Sequence, residues 1–142
     1  MVKNIKILGF AGSLRKNSFN RALLRVAQGL IPQEVSLEIF DLDGIPLYNQ
    51  EMEDNMPQIV KDFKNSIRNA DALLIATPEY NRSIPGVLKN AIDWASRPPQ
   101  DNAFAGKPVA LIPYKCIHRH AGRRHGTIPS APDFCFPQHV SD

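Results

Sequence analysis

The chain has 142 residues, 43% of them hydrophobic and 22% charged, with a formal net charge of +3. That is enough apolar material for one domain with a buried core, and it excludes a disordered chain. No apolar run approaches the length of a membrane span, and "MVKNIKILGFAG" is too short and too soon followed by a polar loop for a signal peptide, so a cytoplasmic protein is expected. Residues 1–112 hold 13 Lys/Arg against 12 Asp/Glu, so the mild basicity is no sign of a nucleic-acid surface.

In chain order, "IKILGFA" (5–11) is a short apolar run that suits a parallel strand buried on both faces. The turn "GSLRKNS" leads into a helix, with Leu23, Val26, Ala27 and Leu30 marking an apolar stripe and Pro32 ending it. "VSLEIFDL" (35–42) alternates and predicts a second strand, followed by the loop "DGIPLYNQEMEDNMP". Ile59, Phe63 and Ile67 mark a second helix ending near Asn69. "ALLIAT" (72–77) is a third buried strand, and "PEYNRSIP" a turn-rich loop. Leu88, Ala91, Ile92 and Ala95 mark a third helix, stopped by Pro98-Pro99, and "KPVALI" (107–112) is a fourth strand. This alternation predicts an α/β fold with a parallel sheet between helices.

Ligands of open parallel sheets bind at the carboxyl ends of the strands, near the switch in strand order. Two loops lie there. In "GSLRKNSFN" (12–20), Ser13 and Ser18 offer hydroxyls, Arg15 offers a fork of donors, and Asn20 ties the loop to the helix start. With the free N–H groups of the helix N-terminus these suit a phosphate. The loop is neither a P-loop nor G-x-G-x-x-G, and it also reads as an ordinary turn with Ser18 as N-cap. In "TPEYNRSIPG" (77–86), prolines and a glycine fix an extended loop whose backbone suits the edge of a flat heterocycle. Tyr80 is placed to stack and Asn81 to hold the loop's shape, whereas Asp93 and Trp94 read as surface and packing residues. Pro78 and Pro85 also read simply as a strand end and a helix start. A phosphate cradle beside a ring-gripping loop describes a flavin mononucleotide (FMN) site.

The patterns G-S-L-R-x-x-S-x-N and P-E-Y-N-x-S-x-P-G-x-L-K-N-A-I-D-W resemble the NADPH-dependent FMN reductases, with their chromate, quinone and azo-dye reductase relatives. The resemblance runs over residues 3–112. It implies a flavodoxin-like sheet of order 2-1-3-4, with FMN held by Ser13, Leu14, Arg15, Ser18, Phe19 and Asn20 at the phosphate and by Pro78, Glu79, Tyr80 and Asn81 at the ring. It also implies NADPH or NADH as hydride donor, a small-molecule acceptor, a homodimer or homotetramer, and no side chain acting as acid or base, since the flavin carries the chemistry. An FMN-binding module without turnover is the alternative.

Residues 113–142 depart from that pattern. They hold both cysteines, all four histidines and four of the prolines, with no helical or strand period. The family continues with a glycine-rich loop, a helix containing "AQYHLRQ" and a fifth strand. Read one base out of frame, "TIPSAPDFCFPQHV" permits "AQYHLRQTFVFLNM", so a frame change near codons 112–116 and an incomplete domain are expected. Cys116, His118, His120, Cys135 and His139 lack the paired short spacings of a zinc site, and "RHAGRRH" lacks interleaved aromatics, so neither metal nor nucleic acid is expected.

Overall fold

The structure is a computed structural model and describes residues 4–114. Four parallel strands, β1 (Ile5–Ala11), β2 (Val35–Phe40), β3 (Ala72–Pro78) and β4 (Val109–Tyr114), form one sheet in the order β2-β1-β3-β4. Three helices connect them: α1 (Phe19–Leu30), α2 (Gln58–Asn69) and α3 (Gly86–Ser96). The expected strand order holds. The fourth strand begins two residues later than "KPVALI" suggests and runs on through Pro113. As the outer strand among the described residues it tolerates a proline, which a central strand would not.

β1 and β3 lie inside the sheet and are apolar on both faces. Leu8, Phe10, Leu73 and Ile75 meet Phe63 and Ile67 of α2 and Leu88, Ala91 and Ala95 of α3. The Phe10 and Phe63 rings pack edge to face with centroids 5.3 Å apart. On the opposite face, Ala11 and Ala76 lie under Leu24 of α1. Gly9 makes that approach possible, because a Cβ there would stand 3.1 Å from Leu37 Cδ1 and 3.2 Å from Leu24 Cδ2.

The phase of α1 differs from the apolar stripe in the sequence. Asn20 and Leu24 are buried and Leu23 and Ala27 half-buried, while Val26 and Leu30 are 58% and 79% exposed. One helix covering small residues needs only a narrow seam, and Val26 and Leu30 fall outside it.

The loop after β2 is fastened to α3. Asn90 accepts from the Tyr48 N–H at 2.7 Å and donates to the Pro46 carbonyl at 2.8 Å. Trp94 is fully buried, and its indole N–H donates to the same carbonyl at 2.8 Å. Tyr48 packs edge to face on Trp94 and donates to the Glu53 carboxylate at 2.5 Å. That hydrogen bond, more than any other influence, pushes the Tyr48 phenol above its ordinary pKa.

Candidate flavin site at the ends of the first and third strands

Parallel register places the carboxyl ends of β1 and β3 side by side, with Ala11 opposite Ala76. The Gly12 N–H continues the ladder by donating to the Ala76 carbonyl at 2.8 Å. A Cβ on Gly12 would stand 2.6 Å from Thr77 Oγ1, closer than any side chain tolerates. Glycine at this position therefore lets the two candidate loops touch. Thr77, buried, donates its hydroxyl to the Pro78 carbonyl at 3.1 Å. Neither Gly12 nor Thr77 is marked by sequence reading as a contact, because the approach exists only after the strands pair.

The first loop folds back on itself. The Ser18 N–H donates to the Arg15 carbonyl at 3.0 Å, and Ser18 Oγ accepts the Asn20 N–H at 3.2 Å as the N-cap of α1. Ser13, Ser18 and Asn20 are buried, whereas Leu14 and Phe19 are 43% and 55% exposed. Arg15 is exposed, donates to the Asn17 carbonyl at 3.0 Å and lies 5.7 Å above the centre of the Phe19 ring.

Two features of this loop suit a polar ligand. Asn20 Oδ1 is buried without a hydrogen-bond partner among the described residues. A buried amide oxygen left so costs free energy until a donor arrives. A ligand hydroxyl supplies one, and a half-turn of the amide would instead present its NH2 to a phosphate. The backbone N–H groups of Leu14 and Arg15 likewise have no acceptor among the described residues. Hydroxyls, free N–H groups and an arginine within eight residues fit the phosphate and ribityl chain of FMN.

The second loop carries Pro78, Glu79, Tyr80 and Asn81 out from β3. Tyr80 and Ser83 exchange two backbone hydrogen bonds at 2.9 Å, closing a two-residue turn. Its central residues Asn81 and Arg82 both have positive φ, +50° and +61°. That is the primed turn of tight hairpins, and it suits asparagine. It leaves the Tyr80 ring 54% exposed at the rim. Ile84 then anchors the loop in the core, and Pro85 caps α3, its carbonyl accepting from the N–H groups of Leu88 and Lys89 at 3.0 Å. The ordinary readings of Ser18, Pro78 and Pro85 as cap, strand end and helix start all hold, and none conflicts with the ligand reading.

Arg21, a residue that sequence reading passes over, ties the first loop down. Its Nε donates to the Ser13 carbonyl at 3.2 Å and its Nη2 to the Asp41 carboxylate at 2.5 Å. A hollow of about 350 Å3 opens elsewhere, lined by Glu53, Lys61, Lys64, Arg68 and Asp101 among others. None of its lining residues belongs to either loop, and Lys64 and Arg68 both pair with Asp101 there. The cysteines and histidines of the tail lie outside the described residues.

This chain is similar to known flavoenzymes and quinone reductases. An NAD(P)H-dependent FMN reductase of Pseudomonas aeruginosa is 55% identical over 113 residues, covering 79% of this chain and 60% of the relative. A 2-hydroxy-1,4-benzoquinone reductase of a Burkholderia species is 49% identical over 108 residues, covering 76% of this chain and 59% of the relative. The solved structure of FerB, a flavoenzyme NAD(P)H:(acceptor) oxidoreductase of Paracoccus denitrificans, superposes with a TM-score of 0.72 at 41% identity, covering 77% of this chain and 60% of that one. The chain thus spans about three-fifths of the length of these relatives. The sequence profile of the NADPH-dependent FMN reductases matches residues 5–127, and the chain belongs to that family.

Proposed function

We propose that this chain binds FMN across the two loops, and that the protein passes a hydride from NADPH or NADH through the flavin to a small acceptor such as a quinone or free flavin. The observation that carries the reading is the buried, under-satisfied first loop (Ser13, Ser18 and the unpartnered Asn20 Oδ1) pressed against the end of β3 at Gly12 and Thr77. When bound, the flavin supplies the two-electron chemistry. The protein's own residues bind and orient. Leu14 and Arg15 offer N–H groups and Arg15 a cation to the phosphate, Ser13 and Ser18 offer hydroxyls, and Phe19 shields the loop from water. The hairpin of Pro78, Glu79, Tyr80 and Asn81 flanks the ring, with its strained turn fixing where Tyr80 stands. A cytoplasmic location and assembly into a homodimer or homotetramer complete the proposal. Among the described residues no helix is long and apolar enough to cross a membrane.

The test is anaerobic mixing of the FMN-loaded 142-residue chain with NADPH, followed by flavin bleaching, and then reoxidation by a benzoquinone. Bleaching faster than for free FMN, reversed by the quinone, is expected. A protein that binds FMN yet leaves the bleaching rate at that of the free cofactor would be a binding module and not a reductase.

A further inference from the structure

Arg21 sits one residue beyond Asn20, on the first turn of α1, and reaches backward and sideways at once. Its guanidinium joins the Ser13 carbonyl at 3.2 Å to Asp41 Oδ1 at 2.5 Å. Asp41 is the residue directly after β2, and the same Oδ1 accepts the Asp43 N–H at 3.1 Å. The bridge therefore spans the ends of two neighbouring strands. The Arg21 side chain is only 19% exposed and Asp41 is 56% exposed, so the arginine end is partly desolvated while the carboxylate faces water.

The consequence for the loop lies in the geometry of a peptide. In a trans peptide the N–H points opposite to the carbonyl before it. A Ser13 carbonyl held on Arg21 is a carbonyl kept from facing an incoming anion. The Leu14 N–H, which has no acceptor among the described residues, is aimed the other way. Asp41 compensates the charge of Arg21, so the effect is orientation and not added positive field. A lysine has a single ammonium and lacks the flat fork that serves two acceptors in fixed directions.

The geometry points to Arg21, braced by Asp41, as the positioning residue that presents the first loop to the phosphate, making the site selective for FMN over riboflavin. This rests on the reading that the loop takes FMN. The test titrates FMN and riboflavin separately into the full chain and into Arg21→Ala, Arg21→Lys and Asp41→Ala, with a urea midpoint for each.

Arg21→Ala and Asp41→Ala are expected to weaken FMN by about tenfold, the loss of one hydrogen bond to a charged group, and riboflavin by no more than about twofold. Arg21→Lys is expected not to restore FMN binding. If Arg21→Ala does not fold, Asp41→Ala decides, because that side chain is largely exposed. Parallel weakening of both flavins would mean a merely structural brace and would overturn the inference, as would unchanged FMN affinity. Absence of FMN binding by the unaltered, folded chain would instead refute the reading of the site itself, and the inference with it.

Discussion

Arg82 holds a φ of +61°, a region that costs a side chain with a Cβ about 1–2 kcal/mol and glycine almost nothing. The two-residue turn from Tyr80 to Ser83 requires it, since both central positions of a type I′ turn are left-handed. Arg82→Gly should therefore raise the unfolding free energy by about 1 kcal/mol in urea titration. An unchanged or lower value would mean that the arginine earns its conformation through contacts. Asn81 was legible as a turn residue, but nothing in the letters marks its neighbour as left-handed too. The same limit applies to Arg21 and Asp41. They are 20 residues apart in sequence, and only the parallel pairing of β1 with β2 brings the first loop to the end of β2.

At the scale of elements, α2 is moored to the turn after α3 by a buried lysine. Lys64 is 1% exposed, contacts the Arg97 carbonyl, and pairs with Asp101 at 2.7 Å, which Arg68 also contacts. The hydrogen bond from Lys64 is the main cause that holds the Asp101 carboxyl below the usual carboxylate range. A carboxylate whose folded pKa is depressed stabilises the fold above its unfolded pKa, and that contribution is lost as pH falls through the folded value. Asp101→Asn should cost about 1 kcal/mol near neutrality, discounted because Asp101 is half exposed. The gap to the unaltered protein should start to narrow only below the ordinary carboxylate range and close as pH falls through the depressed folded value, where both side chains are neutral. Urea midpoints at neutral and acid pH check this, and a gap that widened on acidification would contradict it. The helices themselves were legible from their periodicity. The facing of α1 was not, because apolar Val26 and Leu30 complete a plausible stripe while polar Asn20 is the residue that turns inward.

At the scale of the whole molecule, the sheet order was legible only through the family resemblance, and the meeting of two loops because both follow the carboxyl ends of buried parallel strands. What makes that meeting a site is Gly12, where a missing Cβ leaves room for Thr77. The outer strand β4 pairs only with β3 among the described residues, and Val109 and Leu111 are 40% and 38% exposed on it. Both loops lie on the β1 and β3 side of that edge, so the account places FMN binding within residues 4–114.

The central claim is tested most directly by equilibrium titration of FMN into the purified 142-residue chain, following quenching of flavin fluorescence, beside Arg15→Ala. The account predicts saturable one-to-one binding by the unaltered chain, weakened at least about tenfold by the substitution. Soluble, folded protein that leaves the fluorescence unchanged, or an Arg15→Ala variant that binds as tightly, would contradict it.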